Sequence, residues 1–149
     1  ASYMGAGAVL SYNLARRFAS MPAALLDVIS IFACSSLFYY ATKEPLMSHV
    51  CSYFLITLFC WCGLRIIDGP RPVHVLCFLF SGALLVLVRQ LNGVVVLFPL
   101  WMAWTSPGGI RRSWEHLLFH KRTLVIGSVV AATPWLLQLL YWHHLTGNW

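Results

Sequence analysis

Acidic side chains are almost missing from this chain. Its 149 residues include four carboxylates, Asp27, Glu44, Asp68 and Glu115, and charged residues of both signs make up 9% of the whole. Soluble domains carry about 25% charged residues, so this chain has too little charge to cover a water-facing surface, and a soluble globular domain is excluded. An internal repeat, a low-complexity segment and an Asn-x-Ser/Thr sequon are also absent. Gly108-Gly109 is not a nucleotide loop, because no strand precedes it and no Lys-Ser/Thr pair follows. The cysteines number five, an odd count: Cys34, Cys51, Cys60, Cys62 and Cys77. All lie in apolar stretches, and Cys60 and Cys62 are separated by one residue where a redox pair has two. A disulfide framework is therefore unsupported, and the thiols read as small apolar filler.

What the chain has in quantity is apolar surface. Hydrophobic residues make up 60%, and the mean hydropathy is +0.75. The bilayer is the solvent that tolerates such a chain. At roughly 20 residues per span plus short connections, there is room for about five or six crossings. The expected fold is all-α: a polytopic transmembrane helix bundle with a short interfacial helix, forming one transmembrane domain over residues 1–149. The order of charges at the start, an apolar Ala1–Leu14 running into Arg16-Arg17, is wrong for a signal peptide. With an apolar run reaching almost to Trp149, the expectation is a piece of a longer protein, cut at both ends.

Punctuation divides the chain into six apolar segments. The first, Ala1–Ala15, ends at Arg16-Arg17. The second runs from Pro22, suited to a first helical turn, to Thr42, closing on the interfacial pair Tyr39-Tyr40. Lys43-Glu44-Pro45 is a turn, and the third segment, Leu46–Ile67, ends at Asp68-Gly69-Pro70-Arg71-Pro72. The fourth, Val73–Val88, is followed by the polar interruption Arg89-Gln90-Leu91-Asn92-Gly93. The fifth, Val94–Trp104, is short for a span. After the turn Ser106-Pro107-Gly108-Gly109, residues Ile110, Trp114, Leu117 and Leu118 recur at helical spacing among Arg111, Arg112, Glu115 and Lys121, which predicts a basic helix lying in the interface. The sixth segment, Thr123–Trp142, contains Pro134, which predicts a kink and is tolerated in a span where neighbours satisfy the freed carbonyl.

Alternating segments put Arg16, Arg17, Arg65, Arg71, Arg111, Arg112, Lys121 and Arg122 on one side and only Lys43 and Arg89 on the other. The positive-inside rule makes the richer side cytoplasmic. The net charge of +6 is then a topology signal beside lipid head groups, and no nucleic-acid partner is implied. Glu44, Arg89 and Trp149 fall on the extracytoplasmic side.

Few residues are equipped for chemistry. Glu44 is the single acid on the extracytoplasmic side, and His49 follows in the first turns of the third segment. A carboxylate and an imidazole sharing a cavity can hold a divalent metal or position a phosphate-linked substrate; the plainer reading is an interfacial turn with a solvated Glu and a capping His. Arg89, beside Gln90 and Asn92, marks either a polar cavity or a side chain snorkelling to the interface. Its planar fork suits phosphate. His116 and His120, four apart, read as solvated surface of the interfacial helix, and His143-His144 as part of an aromatic belt with Tyr141-Trp142.

Several of these stretches resemble one family. Phe38-Tyr39-Tyr40 through Glu44-Pro45-Leu46-Met47-Ser48-His49 resembles the "YY…EPLxSH" turn of polytopic GT-C glycosyltransferases of the protein O-mannosyltransferase-like superfamily. Leu87-Val88-Arg89-Gln90-Leu91-Asn92 is similar to their "LxRPxN" element, with Gln90 in place of the usual Pro. Ala15-Arg16-Arg17 resembles their "ARR" turn, and Gln138–Trp142 with Leu145–Trp149 resembles their "QLLYW…TGxW" segment. The resemblance covers nearly the whole chain in order and sidedness. It implies an integral membrane protein, expected in a bacterial plasma membrane, that transfers a sugar from a polyprenyl-phosphate donor to an extracytoplasmic acceptor, with membrane lipid as its surroundings. It implies Glu44, His49 and Lys43 near the pocket and Arg89 and Asn92 near the donor phosphate. A divalent metal, with Glu44 and His49 as possible ligands, and an acidic base in a loop before Ala1 are also implied, so that this stretch alone is expected to be inactive. The loss of Pro at Gln90 weakens the phosphate assignment. A transporter or flippase and a non-catalytic membrane scaffold are the rival readings.

Overall fold

The structure is a computed structural model that describes residues 2–43 and 48–147. Among the described residues every regular element is helical. In order they are α1 (Ser2–Ala15), α2 (Met21–Cys34), α3 (Leu37–Thr42), α4 (Ser48–Asp68), α5 (Pro72–Val88), a 3-10 segment (Gln90–Val96), α6 (Leu97–Thr105), α7 (Gly109–Phe119) and α8 (Lys121–Thr146). Two of these, α4 and α8, are long and apolar enough to cross a membrane. A third crossing is added if Gln90–Thr105 and Gly109–Phe119, bent by 109°, make one span. Helices α2 and α5 are apolar but shorter. An all-helical bundle is thus established, whereas the count of five or six crossings rests on the shorter helices.

Helix α4 is the centre of the bundle. It packs between α1 and α5, with α2 outside α1, α8 outside α5, and α6 and α7 leaning on α4 as well. The core is built on Leu55, Phe59, Cys60 and Leu85, and Phe59 stacks on Phe78 with ring centroids 4.3 Å apart. Small residues let the helix backbones approach closely. Gly63 shows this: a Cβ there would lie 2.8 Å from the Pro99 Cβ, so α6 rests directly on the α4 backbone. Gly127 plays the same part between α8 and α5, where a Cβ would lie 2.7 Å from the Leu79 Cδ1.

Two departures from the segment pattern have local causes. The second apolar segment is not one helix, because it breaks at Ser35, whose backbone is extended (ψ 162°). The Ser35 hydroxyl donates to the Ile31 carbonyl and accepts the Leu37 N–H at 3.2 Å. A serine that bonds backbone on both sides offers the chain an alternative to the helical ladder. The short fifth segment gains length by a different route. It begins as seven residues of 3-10 helix before the nine of α6. At ~2.0 Å rise per 3-10 residue and ~1.5 Å per α residue, the two reach about 28 Å, close to the ~30 Å of a hydrocarbon core. Helix α7 then turns away, with Arg111 Nε donating to Glu115 Oε1 at 2.9 Å on its exposed side. Helix α8 runs unbroken through Pro134.

The antiparallel α4–α5 pair defines two poles. The Asp68 pole gathers the end of α4, the start of α5 and, through a side chain that reaches Asp68, the turn after α1. Because Gly127 near the start of α8 rests on Leu76 and Leu79 near the start of α5, α8 runs parallel to α5 and also begins there. The Arg89 pole gathers the start of α4, the end of α5, and α3.

Candidate functional site

Each pole carries a polar cluster. At the Arg89 pole, α5 ends because Arg89 adopts an extended backbone (φ −155°, ψ 121°) while its N–H still closes on Leu85. That one residue turns the chain into the 3-10 segment and leaves its guanidinium exposed above the start of α4. Arg89 Nη1 lies 3.4 Å from His49 Nδ1. The His49 ring stacks on Tyr40, with centroids 4.6 Å apart and planes 20° from parallel. One turn deeper, Asn92 Nδ2 donates to Ser52 Oγ at 3.1 Å and to the Leu85 carbonyl at 3.2 Å. Asn92 thus adds a second donor to the Leu85 carbonyl, which already accepts the Arg89 N–H, and its bond to Ser52 pins the 3-10 segment to α4. Residues from Tyr40 to Asn92, spread over three elements, therefore meet in one corner.

The structure brings His49 and Arg89 together directly, and Asn92 joins the same corner through Ser52. Lys43 is exposed at the end of α3, where its backbone N–H bonds the Tyr39 and Tyr40 carbonyls. Glu44 lies outside the described residues, as does Trp149. Tyr40 and Ser52 are contributors that sequence reasoning passed over; Tyr40 was visible only as an interfacial aromatic, and the signal for Ser52 was its place three residues after His49 on one helix face. No three His, Cys, Asp or Glu side chains come together among the described residues as a bound metal would require. Of the two expected metal ligands, the described part of this corner holds His49, whose Nδ1 faces the Arg89 guanidinium. A positive group paired with an imidazole and an amide suits an oxyanion.

The Asp68 pole is built around an ion pair. The Arg17 guanidinium forks onto both Asp68 oxygens, with Nη2 to Oδ1 at 2.7 Å. The hydrogen bonds to Asp68 raise Arg17 above the usual arginine value, and they fasten the turn after α1 to the end of α4. His116 and His120 are not the solvated surface their spacing suggested. They are partly buried, with His116 Nδ1 3.4 Å from the Ile66 carbonyl and His120 Nε2 3.2 Å from the Pro70 carbonyl. The signal for this was the end of α4, whose last carbonyls lack helical partners and need donors from elsewhere. Close by, the Arg65 guanidinium sits over the Trp61 ring at 5.1 Å, and His74 stands edge-on to the same indole at 5.4 Å. Trp61 and Arg65 are four apart on one helix face, a spacing that could have revealed the pair.

Comparison with protein families, with curated proteins and with solved structures finds no match to this chain.

Proposed function

We propose that this chain is part of an integral-membrane glycosyltransferase of the GT-C kind its sequence resembles, and that the Arg89 pole binds the phosphate of a polyprenyl-phosphate sugar donor. The observation that carries the reading is the 3.4 Å approach of Arg89 to His49. These residues come from the two stretches that carry the strongest resemblance, and they lie 40 positions apart in the chain. An apolar groove of about 620 Å³ lies between α2 and α3, with Phe32, Phe38 and Tyr39 among its walls. Tyr39 stands edge-on to Tyr40 at 5.6 Å, the ring on which His49 stacks. A polyprenyl tail fits the groove's chemistry, and a phosphate fits the polar corner beside it.

In this reading the Arg89 pole is extracytoplasmic and the arginine-rich Asp68 pole cytoplasmic. The shorter helices α1, α2 and α5, together with the 3-10 segment and α6, complete the count of crossings alongside α4 and α8. Sugar transfer breaks the bond from the anomeric carbon to phosphate oxygen, and negative charge grows on the departing phosphate. Arg89, held against His49, meets that charge with a preorganised fork, so it stabilises the transition state more than the bound donor. Asn92 keeps the 3-10 segment and therefore Arg89 in register. The base that activates the acceptor is assigned by the resemblance to residues preceding Ala1, and this chain's share is donor binding and charge stabilisation.

Donor affinity in the full-length protein tests the reading. Arg89→Lys keeps the charge but loses the planar fork, and both it and Arg89→Ala should bind a polyprenyl-phosphate sugar about ten-fold more weakly or worse, on the order of 1.4 kcal/mol. Unchanged affinity in both variants at normal expression would return Arg89 to a side chain snorkelling to the interface.

A further inference from the structure

The Asp68 pole holds a second cleft that donor binding leaves unused. It measures about 460 Å³ and is lined by Trp61, Arg65, Asp68, Gly69, Arg71 and His74. The charges around it are unequal. Both Asp68 oxygens are taken by the Arg17 fork, and the ion pairs among the described residues give neither Arg65 nor Arg71 a carboxylate. Two guanidinium groups thus face one cleft whose single acid is already matched. Low-dielectric walls focus such a field and favour an anion inside it.

The cleft is also shaped. The Trp61 ring supports Arg65 from beneath, so ordering that guanidinium on a ligand costs less side-chain freedom than ordering a free one. Arg71 stands in extended conformation (φ −113°, ψ 149°) immediately before α5, where the positive end of the helix dipole adds to its charge. His74, also in the lining, has its Nδ1 buried without a hydrogen-bond partner.

We propose that this cleft binds the phosphate of an anionic phospholipid headgroup drawn from the leaflet on the Asp68 side. Two arginines supply fork donors to the phosphate oxygens. Trp61 lines the cleft as an indole suits a head-group boundary. Basic clefts between helices at this level are suited to anionic headgroups. Free inorganic phosphate offers the same oxygens but no acyl chain. The inference requires the chain to sit in a membrane and does not require it to be a transferase.

The test uses the full chain in liposomes of phosphatidylcholine, with or without phosphatidylglycerol. Flotation after a high-salt wash reports insertion, and native mass spectrometry of the extracted protein reports retained lipid. The expected result is retention of phosphatidylglycerol over phosphatidylcholine, with the Arg65→Gln/Arg71→Gln double variant binding it about ten-fold more weakly or worse. Arg71→Gln alone changes an exposed turn residue outside the packed core, so it guards against a misfolded double variant; it should lose at least about three-fold. Arg112→Gln/Arg122→Gln removes the same charge elsewhere on this pole and should stay within about two-fold, as expected for charges outside the cleft. Equal loss in that control would overturn the cleft in favour of diffuse surface attraction. Absence of any phosphatidylglycerol preference in the unaltered, floating chain would overturn the site. Saturation by inorganic phosphate at equal affinity without lipid would overturn the headgroup assignment. Failure to float would break the membrane reading on which the inference stands.

Discussion

Helices α4 and α8 are nearly the same in hydropathy and opposite in surroundings. Both are apolar enough to cross a membrane, yet 56% of the most apolar stretch of α4 is buried inside the protein and 6% of that of α8. In water such a contrast would be written into polarity, because an exposed face must be solvated. In a bilayer both environments are apolar, so composition cannot separate a helix that faces lipid from one that faces protein. The separation lies in size and shape. Helix α4 presents Gly63 to Pro99 and Phe59 to Phe78, whereas α8 offers one buried residue, Gly127, over its 26 positions.

The contrast is most exposed to failure at Phe59. This ring is 3% exposed, stacks on Phe78 and crowds Gly82. Phe59→Ala should cost about 3–5 kcal/mol of stability, the range for emptying a buried aromatic site. Unfolding in mixed detergent, followed by circular dichroism, measures it. A loss under about 1 kcal/mol would mean that α4 is not the packed centre.

Gly127→Leu attacks the other side of the comparison. The added side chain would begin 2.7 Å from Leu79 and 3.2 Å from Leu76, so α8 must lift from α5. Overpacking of this kind costs about 1–3 kcal/mol. Protease cleavage after α7 should rise in the variant while α4 and α5 stay protected. Unchanged protection throughout would show that α8 is not seated on α5 through this glycine.

These positions show what the sequence could disclose. Helix limits on either side of Asp68–Pro72 were legible, since a run of Gly and Pro between apolar stretches leaves little choice of turn. That turn makes α4 and α5 antiparallel, which is why His49 and Arg89, 40 residues apart, could be expected at one end. The break at Ser35 was not legible, because serine in an apolar run reads equally well as small helical filler until its hydroxyl is seen bonding Ile31 and Leu37. The roles of His116 and His120 were hidden for a related reason: their partners are backbone carbonyls of Ile66 and Pro70, and a carbonyl has no sequence signature. The cleft at Trp61 and Arg71 went unseen because its walls come from two helices and the turn between them.

A smaller effect is expected where α4 is fastened to the turn after α1. Arg17→Ala removes a fork that looks strong, but its side chains are 36% and 43% exposed. Solvent screens such a pair, and its loss should cost under about 1 kcal/mol. The same unfolding assay at low and high salt checks it: the gap between the two proteins should narrow as salt rises. A gap that exceeds about 2 kcal/mol, or ignores salt, would mean the pair is shielded by contacts beyond those described.

The smallest expected effect is the sharpest statement about α8. Leu136 lies in its second half and is 58% exposed. If that face meets lipid, the leucine touches hydrocarbon both in the folded bundle and when the helices have separated within the membrane, so truncation removes nothing that folding had gained. Leu136→Ala should then change stability by less than about 0.5 kcal/mol, against the several expected at Phe59. Protein contact would behave differently, because a truncated side chain in a packed interface leaves a cavity that lipid cannot fill, at about 2–5 kcal/mol for leucine. The full-length protein in lipid nanodiscs is the right sample, since it keeps whatever else adjoins α8. A loss above about 1.5 kcal/mol there would show that this face is covered by protein, and the contrast with α4 would then be between two buried helices of one larger bundle.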